Sequence, residues 1–264
     1  MQGAKEAVRR FGEKTINIWD GVKRFSQYVM SIFTSLRSIR YLKFRSIYMI
    51  AVNQTRFTGI DALPLIMLIA LLFGATVIIQ ATKNFPKFGI EDFIGNLLVL
   101  IIARELGPLA TAMIVISRSG SAIAAEIATQ RQNKEILSLE LMGIDTKLFI
   151  VLPRIIASTI AIFSLIAIFD LTAFFGGYLI SLTTVFIPID IFFGSLLNAV
   201  SFVDITITIV KSIIYGILIP LICCYYGFMP RSKFEIPIYV SRAVVRTLLI
   251  IFVINAFISA LFYF

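Results

Sequence analysis

The chain has 264 residues, 59% of them hydrophobic and 15% charged, with 24 phenylalanines and a mean hydropathy of +0.94. Soluble domains carry about 45–50% apolar and about 25% charged residues, so a water-soluble enzyme is excluded. There is no histidine, and Cys223 and Cys224 are adjacent within an apolar run, so imidazole base chemistry, a disulfide scaffold and a metal centre are not expected.

In chain order, the first element is amphipathic. Ile18, Val22, Phe25, Val29, Ile32 and Leu36 recur at three- and four-residue spacing, with Lys23, Arg24, Gln27 and Ser31 between them. This pattern predicts a helix lying in the membrane interface, its basic residues among anionic headgroups; a helix packed on the rest of the chain is the alternative. No charged stretch followed by a short apolar core and a small-residue cleavage site precedes it, so a signal peptide is not expected. The basic residues Arg37, Arg40, Lys43 and Arg45 lead into the first apolar run.

Crossing a ~30 Å hydrocarbon core takes about 20 apolar residues as a helix. The runs that qualify are Leu63–Ala81, Phe93–Ser117, Leu148–Ser181, Ile205–Tyr226 and Thr247–Phe264, predicting five spans. The third exceeds one crossing, which implies tilt or an interfacial turn near Pro153. Lys and Arg number eleven in residues 1–56, four in 118–147 and four in 227–246, against two in 82–92 and none in 182–204. The positive-inside rule then places the N-terminus in the cytosol and the C-terminus outside, and the net charge of +9 reflects topology, not nucleic-acid binding. The expected organisation is an interfacial region over 1–60 and one transmembrane domain over 61–264. The fold class is all-α.

Within the second span, Arg104 and Glu105 stand where a charge costs at least ~2.5–3.5 kcal/mol. Arg104 lies eleven residues beyond Phe93, about 16 Å of helix rise. Gly107-Pro108 follows, and proline withholds a backbone donor and frees carbonyls that must find partners inside protein. Lys211 lies in the fourth span, Asn255 in the fifth, and Asp170 late in the third. Arg104, Glu105, Lys211 and Asn255 are expected to form a polar pocket between helices. A structural ion-pair network holding the helices together is the other reading. After the second span, Ser117–Glu126 is rich in small residues suited to close helix packing. Lys134–Asp145 alternates apolar and charged faces and meets Gly143, which suggests a short helix that lies on the membrane or docks into a partner.

At these residues the sequence resembles the MlaE permease family, the membrane subunits of MCE-type ABC lipid transporters. The resemblance rests on Arg104-Glu105-Leu106-Gly107-Pro108, on Arg118–Glu126, on Leu139-Glu140-Leu141-Met142-Gly143-Ile144-Asp145 and on Pro153-Arg154. Gly59, Pro64, Gly74, Gln80, Lys211 and Ser241–Thr247 fit as well, so the likeness runs over about residues 46–264. The resemblance implies a homodimer, a cytosolic ABC ATPase carrying ATP and Mg, an MCE-domain partner outside the membrane and a phospholipid substrate. It implies residence in a bacterial inner membrane, or alternatively a plastid inner envelope. Residues 126–147 would then be the ATPase-coupling segment, with Glu126, Arg131, Glu135, Leu139, Glu140, Met142 and Asp145 as its contact residues. Arg104, Glu105 and Lys211 match the family's polar cavity. Asn255 stands where the family often has aspartate, Gln130 replaces a usual methionine, and Leu137 a common acidic residue.

No Gly-x-x-x-x-Gly-Lys-Ser/Thr loop is present, so the chain is not expected to hydrolyse ATP and needs no cofactor of its own. The expected function is a permease moving phospholipids between the inner membrane and the outer envelope. Arg104 would take the phosphate bidentately, and Lys211 as a point charge. Val77, Ile78, Phe85 and Phe88 would line a path for acyl tails, although aromatic residues at that depth also serve as interface anchors. A membrane scaffold recruiting the same partners without carrying lipid is the alternative.

Overall fold

The computed structural model describes residues 19, 21, 23–32, 34, 44–84, 95–184 and 186–263, with the backbone alone at 44–47, 84 and 263. Every regular element among them is helical. Residues 23–32 form α1 and Phe44–Thr58 form α2; a 3₁₀ turn, Ile60–Ala62, joins α2 to α3, Leu63–Asn84. The second span, α4, is continuous over Gly95–Gln132 but contains π-helical stretches at Val99–Leu106 and Ile116–Gly120. Then come α5 (Glu135–Leu141), α6 (Thr146–Thr184), α7 (Ile189–Ala199), α8 (Phe202–Gly227) and α9 (Ile236–Tyr263). Five helices are long and apolar enough to cross a membrane, as the sequence predicts.

Boundaries differ from expectation in four places. The first apolar helical stretch begins at Tyr48, not Leu63, because α2 runs through the 3₁₀ turn into α3. The fifth helix starts at Ile236, not Thr247, because Arg242 and Arg246 continue its helical pattern at the rim of the apolar layer. The second continues to Gln132, since small residues after Ser117 pack as a helix and not as a loop. The third is one unbroken helix of 39 residues, with buried Pro153 inside it. The short α7, between the third and fourth spans, carries an apolar pattern too brief to count as a crossing.

The core is organised around α6. It packs along α3, where a Cβ on Gly74 would run into the Ala173 carbonyl, so only glycine permits backbones this close. Ile78 is fully buried and reaches Gly177 in this same contact, which removes it from any lipid-facing wall. Helices α4, α8 and α9 pack together on the other side of the bundle.

The loops rich in Lys and Arg define one end of the bundle, here the basic end. There α1 turns its apolar stripe to the protein: Ile32 is buried in the core, and Phe25, Tyr28 and Val29 pack against it. Phe25 meets Tyr225 edge-on at 5.1 Å between ring centroids, and Tyr28 lies 5.2 Å from Tyr225 and 6.4 Å from Phe228. Trp19 and Met30 stay exposed. Ile18, Val22, Leu36, Arg37, Arg40, Lys43, Phe85 and Phe88 lie outside the described residues, as does the side chain of Arg45.

Candidate functional site

The site begins with a backbone defect in α4. In an α-helix the Arg104 carbonyl takes the N–H of residue 108, and residue 108 is proline. The helix widens before it, with the Gly107 N–H donating to the Ile102 carbonyl five residues back. π-Helical bulges of this kind gather at functional positions. The Lys211 ammonium on α8 crosses over and donates to the Arg104 carbonyl at 2.6 Å, supplying the donor that proline lacks.

Lys211 is fully buried. Its Nζ also donates to Ser259 Oγ at 3.0 Å and pairs with Glu105 Oε1 at 3.5 Å. An ammonium has three N–H groups, so all of its donors are engaged. Glu105 Oε1 further accepts from Ser259 Oγ at 2.5 Å, and its Oε2 accepts from Asn255 Nδ2 at 2.7 Å. The Asn255 carbonyl oxygen accepts from the buried Tyr215 hydroxyl at 2.7 Å. One lysine, one carboxylate, one amide and two hydroxyls thus tie α4, α8 and α9 together without an unmatched charge.

Arg104, next in sequence to Glu105, joins a different cluster. Its Nε lies 2.8 Å from Asp204 Oδ1, and its Nη2 donates to Asp204 Oδ2 at 3.3 Å. Asp204 also accepts from the backbone N–H and hydroxyl of Ser201, while Ser201 Oγ accepts from the Asp204 N–H. This reciprocal capping box starts α8. The Arg104 side chain is 28% exposed, against 0% for Lys211. Two cations and two carboxylates make the ensemble electrically neutral, as burial in a membrane protein demands.

Arg104, Glu105, Lys211 and Asn255 are therefore brought together, but as two linked clusters. Sequence reasoning missed Asp204, Ser201, Tyr215 and Ser259. Asp204, Lys211 and Tyr215 follow i, i+7, i+11 spacing on one face of α8, and Asn255 and Ser259 follow i, i+4 on α9; that polar stripe was the available signal. Asp170 sits apart, against Gly107, with its Oδ1 buried. Val77 lies in a separate groove of about 290 Å³ between α3 and α4, with Phe73, Gln80, Leu97, Ile101 and Leu106 in its walls.

At the basic end, the coupling candidates have diverse contacts. Glu126 pairs with buried Arg154 at 2.8 Å. Glu140 accepts from Thr146 Oγ1 at 3.0 Å. Asp145 caps α6, accepting from the N–H groups of Lys147 and Leu148 at 3.2 and 3.3 Å. Arg131 and Glu135 are exposed and Leu139 is half-buried. Lys134 (φ 62°) and Gly143 (φ 75°) bracket α5 in the left-handed region. Between them Leu137, Leu141 and Met142 stand 50%, 81% and 66% exposed. They form the apolar face that α5 offers outward, of which the sequence reading placed only Met142 among the coupling contacts. Among the described residues no group of three or more metal-ligating side chains occurs.

The family model described as "Permease MlaE" matches residues 51–261, a stretch that contains both clusters and all but the outermost residues of the first and last spans. The chain belongs to the MlaE permease family. Among its relatives, a probable ABC transporter permease protein of Rickettsia felis is 29% identical over 96% of both chains. A probable ABC transporter permease protein of Synechocystis is 30% identical over 80% of this chain and 81% of its own length. The intermembrane phospholipid transport system permease protein MlaE of Haemophilus influenzae is 27% identical, over 83% of this chain and 85% of that protein. This MlaE-family member is an integral membrane permease, and its five apolar helices fit that class.

Proposed function

We propose that the chain is the permease subunit of an ATP-driven transporter that moves phospholipids between the inner membrane and the outer envelope. It acts as a homodimer, with the basic end in the cytosol. The observation that carries this reading is the neutral polar ensemble of Arg104, Asp204, Glu105 and Lys211 inside an apolar five-span bundle of the MlaE family. The name of the Haemophilus relative, an intermembrane phospholipid transport system permease protein, supports phospholipid as the cargo class.

The geometry divides the labour between the two cations. Lys211 has every donor engaged and no exposed surface, so it holds α4, α8 and α9 in register. Arg104 is partly exposed, and its planar guanidinium suits a phosphate as well as it suits the Asp204 carboxylate. A headgroup phosphate approaching Arg104 competes with Asp204, and acyl chains follow the apolar groove past Val77 and Leu106. ATP hydrolysis belongs to a separate cytosolic ATPase that docks on the exposed Leu137, Leu141 and Met142 of α5, and an MCE-domain partner receives or delivers lipid at the opposite end.

The test is mass spectrometry of lipids retained by the assembled complex, wild type beside Arg104→Gln and Lys211→Met, with thermal unfolding as the folding control. Loss of an enriched phospholipid in Arg104→Gln, with assembly intact, is the expected result. A lipid profile equal to the bulk membrane in wild type and variant alike overturns the transport role and leaves a recruiting scaffold.

A further inference from the structure

A second cavity, of about 390 Å³, opens at the basic end, away from the Arg104 and Lys211 clusters. Five parts of the chain converge on it: Tyr28 from α1, Arg131 from the end of α4, Lys134 from the turn, Glu140 from α5, and Lys147 from the start of α6, with Phe228 just beyond α8 completing the wall. Three cations face one carboxylate. That carboxylate is already engaged with Thr146. Lys147 donates to Ser31 Oγ at 3.3 Å, and Arg131, Lys134 and Lys147 make no ion pair among the described residues.

The Tyr28 hydroxyl is sealed from solvent near Arg154 and Cys224, so the cavity meets the Tyr28 ring and not its O–H. The rings of Tyr225 and Phe228 hold Tyr28 in place. Lys147 begins the third span and Phe228 ends the fourth, which sets the cavity at the depth where apolar helix gives way to charged loop, the level of lipid headgroups.

We propose that this cavity is a phosphate-binding site, formed by Arg131, Lys134 and Lys147 against the aromatic wall of Tyr28 and Phe228, which clamps α5 to α1 and α6 when occupied. Phosphate supplies the acceptor oxygens that the three cations lack, and the aromatic wall accommodates the glycerol stem of a lipid. The same chemistry is carried by a phospholipid headgroup and by soluble phosphate. The site shares no residue with the buried clusters, but Leu137 of the proposed ATPase-docking face stands in its wall, so the two surfaces adjoin.

The experiment is native mass spectrometry and thermal unfolding of the full-length chain in detergent, with three probes: dioleoyl phosphatidylglycerol, dioleoylglycerol lacking phosphate, and inorganic phosphate. Wild type should retain phosphatidylglycerol, and Lys134→Gln/Lys147→Gln should weaken retention about tenfold or more through loss of two charge-assisted contacts. Tyr28→Phe, which keeps the ring and removes only a hydroxyl sealed from the cavity, should leave retention unchanged. Both lysines are exposed, so the double variant should fold with wild-type thermal stability in the absence of probe. Should it fail to fold, the single variants are compared in its place. Stabilisation by phosphatidylglycerol and not by inorganic phosphate assigns the site to a lipid; equal stabilisation by both assigns it to phosphate of either source. Retention unchanged in the lysine variants, or dioleoylglycerol held as tightly as phosphatidylglycerol, overturns the proposal.

Discussion

Two buried cations, Lys211 and Arg154, show how differently the halves of this bundle are built. Lys211 has a partner for each of its three N–H groups, drawn from α4 and α9. Arg154, 5% exposed, makes one ion pair with Glu126 and lies against the Cys224 thiol, while its Nε and Nη1 are buried with no close oxygen or nitrogen acceptor among the described residues. The side chain of Glu126 is itself 49% exposed and shared with Gln130. A saturated network fixes one arrangement of helices. An under-satisfied one leaves donors for a second arrangement, and it lies beside α5, where a partner would push. The lesson is that burial alone does not define a rigid site; the ratio of donors to acceptors does.

The largest expected effect breaks the saturated side. Lys211→Met leaves Glu105 without its cation and the Arg104 carbonyl without a donor. It should lower stability by about 3–5 kcal/mol, the scale for breaking a buried pair, read as a fall in the thermal midpoint or as loss of folded protein. Adding Glu105→Gln to Lys211→Met should recover part of that loss, because the unpaired charge is removed. Asn255→Asp comes next: it deletes the amide donor to Glu105 Oε2 and sets a second carboxylate against it, and should cost about 2–3 kcal/mol. Tyr215→Phe removes only the hydroxyl bonded to Asn255 and should cost about 1–2 kcal/mol.

On the under-satisfied side, Arg154→Gln should cost less than Lys211→Met in the same thermal assay, since one ion pair is lost against three contacts. Hydrogen exchange should accelerate over residues 133–146 while α8 and α9 stay protected. Equal losses from Lys211→Met and Arg154→Gln would remove the contrast between the halves. The smallest effect on stability is expected for Leu141→Glu/Met142→Glu, below about 0.5 kcal/mol as for exposed positions generally. The same variant should abolish co-purification of the proposed ATPase partner, which separates docking from folding.

Hydropathy, charge bias and a handful of misplaced polar residues made much of this chain legible. Five crossings, the distribution of basic loops and the importance of Arg104, Glu105, Lys211 and Asn255 follow from composition and spacing, because lipid tolerates unpaired polar groups so poorly. The choice of partners was not legible. Arg104 and Asp204 are 100 residues apart and Glu105 and Ser259 154 apart, and periodicity reveals which face a residue occupies without revealing what it meets. Adjacent Arg104 and Glu105 invite pairing on paper; the π-helical widening before Pro108 gives them separate partners. The stripe of α1 likewise reads as membrane-facing, and only packing decides that Phe25, Tyr28 and Ile32 meet the protein. The sequence by itself determined how many helices cross and which residues need company in the membrane, since those are properties of each segment against its solvent. Tertiary structure alone decided who keeps that company, because pairing depends on where distant helices are brought together.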